Sequence, residues 1–482
     1  MQGTSSNHKK MNQWAAAVAV IALLWAASVF CGCDPVLFWQ RKGHLTDILS
    51  QMIPPDMAYV REVLGPLAAT IRMSVTGTVL GAFLGLLAAP VCAACTGMPA
   101  PARHLLRLLI QVLRAFPALI LALLATFFFG LGTFAGTAAI TVYTFAIIAR
   151  LTYEDMERAP ISAFRALTAM GVSPGKASYR ALLPEVLSSY LTNTLYLLET
   201  NVRHSAILGY VGAGGLGLLL NEKISWREYD KVGTILLLLL IAVLIIERIG
   251  AWLTEIACGR KKLSRAGLRS LGIVCSLIFL ICLIGVGLPD FEHTSLSLIR
   301  SMLTGLVHID WSFFCSLTSE GLPYLLLETI GIALLGTVSG MLAALPVSFL
   351  ASRRLMGETL PGRLISGLFT FLIALIRSVP FLIYGLIFIR VCGPGAFTGI
   401  LTMGFCSIGL LSKRITQAID ALDLGPYRAL QAMGIPWLIR IRYAILPQLM
   451  PAFISAVLYR FDVNTREAAI LGIVGAGGIG GD

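Results

Sequence analysis

A long stretch of this sequence occurs twice. Residues 166–217 align without a gap with residues 429–480. Both copies begin with Ala-Leu-x-Ala-Met-Gly, and both contain Val-Gly-Ala-Gly-Gly near their end. Self-similarity at a fixed period indicates repeated structural units, and a period of about half the chain is far too long for a solenoid. We therefore expect two copies of one module within a single polypeptide.

The amino-acid composition places these modules in a membrane. Hydrophobic residues make up 57% of the chain and charged residues only 13%, whereas about 25% of the residues of a soluble domain are charged. Because open strand edges cannot face lipid, spans of about 20 apolar residues are expected to be helices. The sequence thus predicts an all-α, polytopic bundle of transmembrane helices. The net charge of +12 lies in short basic clusters between apolar runs, which indicates cytoplasmic loops and not nucleic-acid binding.

The apolar runs predict six spans in the first half and five in the second. They are residues 13–32, 66–95, 108–131, 134–149, 186–209 and 231–256, then 268–288, 322–350, 364–391, 396–411 and a final run from 448. The basic clusters place residues 1–12 and the polar loops 150–185 and 412–447 on the cytoplasmic side. The second copy stops at Asp482 without a counterpart of 231–256. We expect either a truncated chain or a module that works without that helix.

The sequence shows no catalytic or metal-binding constellation. Ten cysteines are scattered, mostly inside apolar runs, without metal-ligand spacing. Cys31 and Cys33 lie at the outer end of the first run, where a disulfide and a lipid anchor both remain open. The repeated glycines follow a membrane helix and not a strand, and the glycine-lysine stretch 171–176 is one residue too short for a P-loop. We therefore expect no enzyme activity, no metal and no ATP site in this chain.

Each polar loop carries a pattern that predicts its shape. A short helix should end near Gly171 and Gly434, where a left-handed residue reverses the chain. A second short helix should run to a proline that opens the next span. An ordered interfacial loop would satisfy this pattern, but identical spacing in both halves favours a rigid docking element. The candidate docking residues are Ala166, Ala169, Gly171 and Pro184, with Ala429, Ala432, Gly434 and Pro447.

This loop pattern resembles the EAA loop in the membrane subunits of ABC importers, with Ala-Leu-x-Ala in place of the usual acidic start. The resemblance covers about residues 66–257 and 322–481. It implies that each loop is a coupling helix that fits a cleft in an ATPase subunit, present in two copies, which uses the ATP and Mg²⁺. It also implies an extracytoplasmic substrate-binding protein as partner, surrounding membrane lipid, and a multi-pass location in the bacterial inner membrane.

A second resemblance narrows the substrate. Residues 458–480 are similar to the phosphonate-type permeases of this superfamily, as are Arg-Ser-Val-Pro at 377–380 and Arg-Ala-Phe-Pro at 114–117. Relatives that import methionine share the glycine-rich ending but not the Asp-x-Asn-x-Arg before it. The resemblance implies two fused permease modules that form one pseudo-symmetric pathway for phosphonate or a related small phosphorus oxyanion. The alternatives are an ABC permease for methionine, phosphate or another small solute, and an ion-coupled secondary transporter.

On this basis the chain divides into four segments. Residues 1–65 form an N-terminal anchor helix and an external segment, and residues 66–257 form the first permease module. Residues 258–321 hold a basic junction, a connecting span and an external segment. Residues 322–482 form the second permease module, which lacks its last helix.

Ionisable residues inside membrane spans are costly and are functional candidates by default. In each copy an acid precedes an arginine by four residues, which allows an ion pair within one helix. Such a pair is either structural or, with an asparagine between its members, able to offer positive charge and amide groups to an anion. The candidates for the translocation pathway are Glu199, Asn201, Arg203, Asp462, Asn464 and Arg466. Arg114 and Arg377, each three residues before a proline, are predicted to reach the interface.

The glycines at the end of each copy suggest a special backbone near the outer mouth. They allow either close helix approach or a flexible break. The candidates for an outer gate are Gly212, Gly214, Gly215, Gly475, Gly477 and Gly478.

Overall fold

All regular secondary structure in the described part of the chain is helical. The computed structural model describes residues 18–19, 21–96, 99–261, 264–289, 301, 304–305, 311–316, 318, 321–357 and 359–480. Within these ranges the predicted all-α class is confirmed, and eight helices are long and apolar enough to cross a membrane, or ten if each of two bent pairs is one span. The helix over the predicted span 186–209 is not among them. The predicted cytoplasmic N-terminus, residues 1–12, lies outside the described residues.

The helices follow the order that the repeat predicts. In chain order they are α1 (Ile21–Phe30), α2 (Pro35–Met52), α3 (Val60–Cys92), α4 (Ala100–Ala115), α5 (Ala118–Phe129), α6 (Thr133–Arg158), α7 (Ser162–Ala169), α8 (Pro174–Ala177), α9 (Leu183–Leu208), α10 (Leu216–Ser225), α11 (Tyr229–Ala257), α12 (Arg265–Ile284), α13 (Trp311–Cys315), α14 (Leu322–Ala351), α15 (Arg353–Met356), α16 (Leu360–Ser378), α17 (Phe381–Cys392), α18 (Ala396–Ala421), α19 (Gly425–Ala432), α20 (Trp437–Arg440) and α21 (Leu446–Leu471). One π-helical turn precedes α9 (Ser178–Leu182) and another precedes α21 (Ile441–Ile445).

The chain forms two compact units, each with one copy of the repeat. The first unit comprises residues 49–308, and the second comprises residues 1–48 together with 309–482. The helix α12 therefore belongs with the first repeat copy, and α1 belongs with the second. The four segments drawn from the sequence follow chain order and stay a prediction, because an alignment of repeats does not show on which module a flanking helix packs.

The core of the first unit is the contact between α3 and α6. Gly77, Gly81 and Gly85 lie one turn apart on α3, and a Cβ atom at each would come within 2.7–2.9 Å of a side chain of α6. Small residues at this spacing let two membrane helices approach closely. In the second unit Gly336 and Gly340 hold the same place on α14, against α18. The same packing thus organises both units.

The flanking helices are attached by specific contacts within their units. In the first unit Gly285, just after α12, lies against the Arg72 side chain of α3. In the second unit the rings of Phe30 and Tyr324 lie 4.9 Å apart, which joins α1 to α14. Buried Cys31 lies against Gly331 of α14.

Two predicted spans are broken in the structure. The prediction of one helix over 108–131 is wrong, because α4 and α5 meet at an angle of 98°. The run 364–391 is not one helix either, because α16 ends at Ser378 and α17 begins at Phe381; α16 alone is long and apolar enough to span. The cause lies in Pro117 and Pro380, since a residue before proline is driven out of the helical region. Arg114 and Arg377 lie in the last turn before these breaks.

Candidate coupling loops and translocation residues

The helix ends predicted in the two polar loops are confirmed. Gly171 and Gly434 have φ angles of +83° and +73°, the left-handed conformation that glycine adopts at low cost. The Val172 amide donates to the Leu167 carbonyl at 3.1 Å, and the Ile435 amide donates to the Leu430 carbonyl at 3.2 Å. These six-to-one bonds after α7 and α19 are the Schellman arrangement. The chain is reversed in the same way in both loops.

The second arm of each loop runs directly into the next long helix. The short helices α8 and α20 continue through the π-helical turns into α9 and α21. Pro184 and Pro447 lie just after the π-helical turns, and a local π-helical adjustment of this kind accommodates the missing amide hydrogen of a proline within a membrane helix. A displacement of either loop would therefore act on α9 or α21 through continuous helix.

Each loop is anchored on one side and open on the other. Phe164 and Tyr427 are buried beneath α7 and α19. Met170 and Met433 at the tips are 71% and 72% exposed. The alanines predicted to dock a partner are exposed beside them, as are both prolines; they are Ala166, Ala169, Ala429 and Ala432. A surface of small and apolar side chains around a rigid turn is suited to close contact with another protein. The docking role stays a prediction.

The acid–arginine pairs form within their helices at the predicted spacing. Arg203 donates to Glu199 at 2.8 Å, and each of the two side chains is 11% exposed. Arg466 pairs with Asp462, and these side chains are 32% and 64% exposed. The two pairs are thus alike in chemistry and unlike in burial. A role in the translocation pathway stays a prediction.

The two asparagines are engaged inside their units. The Asn201 Nδ2 group donates to hydroxyl oxygens on α3 and α6, and Asn464 does the same on α14 and α18. Both asparagines are fully buried. The amide hydrogens that were expected to contact an anion are therefore used between helices. A position of the asparagines on the translocation pathway stays a prediction.

The glycine turns are tightly packed. All six predicted gate glycines have positive φ angles, between +74° and +87°. After them, the Leu216 amide donates to Thr70 Oγ1 at 2.8 Å, and the Ile479 amide donates to Thr329 Oγ1 at 3.0 Å. A Cβ atom on Gly215 would lie 2.6 Å from Thr70 Oγ1. The geometry corresponds to close helix approach, the first of the two predicted uses, and the gate role stays a prediction.

Comparison with known proteins establishes the family. Residues 77–256 and 336–481 match the model of the binding-protein-dependent transport system inner membrane component. The two matches together cover more than half of the chain. The chain belongs to this family. It is a multi-pass transport protein of the inner membrane, with two permease modules in one polypeptide.

Three curated permeases illustrate the similarity. The chain is 28% identical over 475 residues to the phosphate-import permease protein PhnE of Mycolicibacterium smegmatis, which covers 96% of this chain and 86% of that protein. It is 37% identical to the phosphite transport system permease protein PtxC of Stutzerimonas stutzeri, over 32% of this chain and 55% of that one. It is 49% identical over 72 residues to a putative cryptic phosphonate transport system permease of Escherichia coli (strain K12), over 15% of this chain and 59% of that one.

The second permease module contains a buried ion pair that the sequence analysis did not single out. Arg460 on α21 donates to Glu467 Oε2 at 3.1 Å and to Ser407 Oγ at 3.0 Å. The Arg460 side chain is only 3% exposed. The available signal was an arginine seven residues before a glutamate, hence on one helix face, inside a membrane span. The repeat hid it, because Leu197 and His204 hold the equivalent positions in the first module.

A charged cluster shapes the turn that follows α10 in the first module. Lys223 Nζ lies 3.0 Å from Glu228, and Lys231 Nζ lies 3.0 Å from the same carboxylate. Hydrogen bonds from Lys231 and then Lys223 hold the pKa of Glu228 below its usual range. Arg227, beside it, has a φ of +59°, which is uncommon for a residue with a side chain. The ion pairs hold this turn in place.

Proposed function

We propose that this chain is the transmembrane subunit of an ABC importer and forms the translocation pathway for phosphonate or a related small phosphorus oxyanion. The observation that carries the proposal is the Asp/Glu-x-Asn-x-Arg pattern, which recurs in both modules with its ion pair formed. The three related permeases, which are named for phosphate, phosphite and phosphonate, support the same substrate class.

The two arginines supply the chemistry for an oxyanion. A guanidinium group binds carboxylate and phosphate oxygens through the same forked hydrogen bonds. A phosphorus oxyanion can therefore replace the carboxylate of Glu199 or Asp462 on Arg203 or Arg466. The exchange keeps each guanidinium paired in both states, and a released Asp462 carboxylate, which is 64% exposed, can be solvated by water. Arg466 is suited to start the exchange, because its acid is largely exposed.

ATP hydrolysis takes place in two separate ATPase subunits that dock on the exposed tips of the coupling loops. An extracytoplasmic binding protein delivers the oxyanion to the outer mouth. ATP-driven closure of the ATPase pair then moves both loops, and because α8 and α20 continue into α9 and α21, the movement reaches the helices that carry the arginines. Alternating access results from this coupled displacement.

The experiment is substrate-stimulated ATP hydrolysis in proteoliposomes that contain this chain, its ATPase and its binding protein. Methylphosphonate, phosphite, phosphate and methionine are tested separately. We expect stimulation by the phosphorus oxyanions and not by methionine. Stimulation by methionine alone would overturn the substrate class, and failure of the chain to bind any ATPase would overturn the importer.

Matched loop variants test the coupling. Gly171→Val and Gly434→Val place a branched side chain at a left-handed position, so both should abolish stimulation. Gly175→Ala is the control, since this glycine lies in the same loop without a positive φ and with open space around its Cβ position. Equal loss in the control would show that the loop tolerates no change at all and would contradict the specific role of the two turns.

A further inference from the structure

One polar contact joins three helices in the same way in both modules. Asn201 of α9 donates to Thr78 of α3 and to Thr144 of α6, at 2.8 Å each. In the second module Asn464 of α21 donates to Thr337 of α14 at 2.7 Å and to Ser407 of α18 at 3.0 Å. All six side chains are buried. Both hydrogens of each carboxamide are therefore used between helices.

The direction of these bonds is fixed by the threonine on the first helix. The Thr78 hydroxyl donates its hydrogen to the Ser74 carbonyl at 2.6 Å, and the Thr337 hydroxyl donates to the Ala333 carbonyl at 2.6 Å. A hydroxyl has one hydrogen, so each of these oxygens can only accept from the asparagine. An aspartate in place of the asparagine would have no hydrogen to give, which explains why an amide is required.

The neighbouring polar contacts of the first module are not repeated in the second. Ser74 and Ser205 are hydrogen-bonded to each other at 2.5 Å in the first module. Ala333 and Ala468 hold the equivalent positions in the second. The hydrogen bond between Ser74 of α3 and Ser205 of α9 thus has no counterpart in the second module.

The reverse holds for the ion pair of the second module. Arg460 and Glu467 are replaced by Leu197 and His204 in the first. The asparagine contact is retained in both copies while the contacts around it have changed. This difference within one chain indicates that the asparagine serves the part of the mechanism that both modules share.

The position of the asparagine on its helix indicates what that part is. Asn201 lies two residues from Glu199 and two from Arg203, about 200° around the helix from each. The asparagine therefore faces the side of α9 opposite to the ion pair, and the same holds for Asn464 on α21. A side chain that is bonded to two other helices on one face fixes the rotation of the helix, and with it the direction of the opposite face.

We propose that Asn201 and Asn464 are positioning residues that lock the rotation of α9 and α21, so that the acid–arginine pair on the opposite face is presented to the translocated oxyanion. The inference rests on the proposed function. It gives the Asn of the Asp/Glu-x-Asn-x-Arg pattern a role that acts through the arginine and not by contact with substrate.

The first test uses matched variants of the hydroxyl partner. Thr144→Val keeps the shape and removes the acceptor, whereas Thr144→Ser keeps the acceptor and copies Ser407 of the second module. We expect Thr144→Val and Asn201→Leu to raise the KM for methylphosphonate in binding-protein-dependent uptake by about tenfold or more. The reason is that a misdirected Arg203 would lose a hydrogen bond to the charged substrate. Thr144→Ser should keep the KM of the unaltered protein. Equal effects of both Thr144 variants would overturn the inference.

A double-mutant cycle separates positioning from general support. If Asn201 acts through Arg203, then Asn201→Leu should add no further rise in KM in an Arg203→Gln background. Ser205→Ala is the control, because it removes a buried hydrogen bond of the same helix pair that the second module lacks, and it should leave the KM unchanged. If the rises in KM caused by Asn201→Leu and Arg203→Gln were additive in free energy in the double variant, the positioning role would be contradicted.

A distance measurement decides the inference even if the arginine proves to have no substrate role. Spin labels at exposed Tyr196 of α9 and Ile241 of α11 report the rotation of α9 within the first unit. Asn201→Leu should shift the distance distribution, and Ser205→Ala should not. An unchanged distribution would overturn the lock. An unchanged KM in Arg203→Gln would instead overturn the proposed oxyanion contact, while the label distance would still test the rotation.

Discussion

The ion pair of the second permease module gives a quantitative test of the packing. Glu467→Ala would leave the Arg460 guanidinium, which is 3% exposed, with the hydrogen bond to Ser407 Oγ but no carboxylate beside it. Removing one member of a buried ion pair costs about 3–5 kcal/mol, because a charge is left without compensation. We expect a loss of stability near the upper end of this range, since the arginine cannot reach water without moving α21.

The first module shows which neutral side chains can stand in place of this ion pair. It carries Leu197 and His204 in place of the pair, with Tyr143 where the second module has Cys406, and the His204 and Tyr143 rings lie 5.4 Å apart. Transfer of all three side chains into the second module removes both charges together. Replacement of a buried pair by packed neutral groups is often nearly neutral, so the triple variant should recover most of the stability.

The assay is thermal unfolding of the purified protein in detergent. Glu467→Ala should lower the Tm by several degrees, and the triple variant Cys406→Tyr, Arg460→Leu and Glu467→His should restore most of it. Glu467→Gln keeps the shape of the side chain and loses its charge, so its Tm should lie close to that of Glu467→Ala. A Tm unchanged by Glu467→Ala, or a triple variant as unstable as the single one, would refute the reasoning.

Three further outcomes follow from the first module. Gly215→Ala should lower the Tm for two reasons. Gly215 has φ +75° and ψ −158°, a backbone conformation that essentially only glycine adopts and that costs another residue about 1–3 kcal/mol. The new Cβ atom would also lie 2.6 Å from Thr70 Oγ1. Met170→Asp should reduce copurification of the ATPase without lowering the Tm, because the side chain is exposed at the loop tip. The lowered pKa of Glu228 means that its ion pairs stabilise the α10–α11 turn above the usual carboxyl pKa, and that this contribution disappears as pH falls through the lowered value; proteolysis at Arg227 should increase over that interval.

Each of these outcomes has its own control. Gly175→Ala introduces the same methyl group without strain and should keep the Tm. A lower Tm for Met170→Asp with normal ATPase binding would assign the methionine to folding and not to docking. Glu228→Gln cannot titrate, so its proteolysis should be faster and independent of pH in this range; a pH dependence equal to that of the unaltered protein would show that another group is responsible.

Features that depend on local backbone and spacing could be predicted from the sequence. The turns at Gly171 and Gly434 follow from the need for a left-handed residue after a short helix. The pairing of Glu199 with Arg203 follows from helical periodicity. These are local relations, and they recur in both copies of the repeat, so each copy supports the other.

The breaks at Pro117 and Pro380 were missed for a different reason. Apolar runs measure the tendency to enter lipid, and this quantity contains no information about backbone direction. The prolines stood inside such runs, and hydropathy outweighed the local rule that a residue before proline leaves the helical region. Giving that rule priority would have found both breaks.

The partners of the asparagines could not have been found from one sequence. Asn201 bonds to side chains 123 and 57 residues away, and Asn464 to side chains 127 and 57 residues away. Contacts over such separations are set by how the helices pack. Internal comparison would have given a partial signal, because a hydroxyl side chain stands at each of the equivalent positions in both copies.

The translocation of a phosphorus oxyanion by this chain can be measured directly as uptake of radiolabelled methylphosphonate into proteoliposomes. The vesicles contain this chain as the sole membrane subunit, with its ATPase and a loaded binding protein. We expect accumulation that requires ATP on the ATPase side and is inhibited by excess phosphite but not by excess methionine. We also expect that accumulation is lost when Arg203 and Arg466 are both replaced by glutamine. ATP-dependent uptake of methionine by the same vesicles, without uptake of any phosphorus oxyanion, would contradict the account.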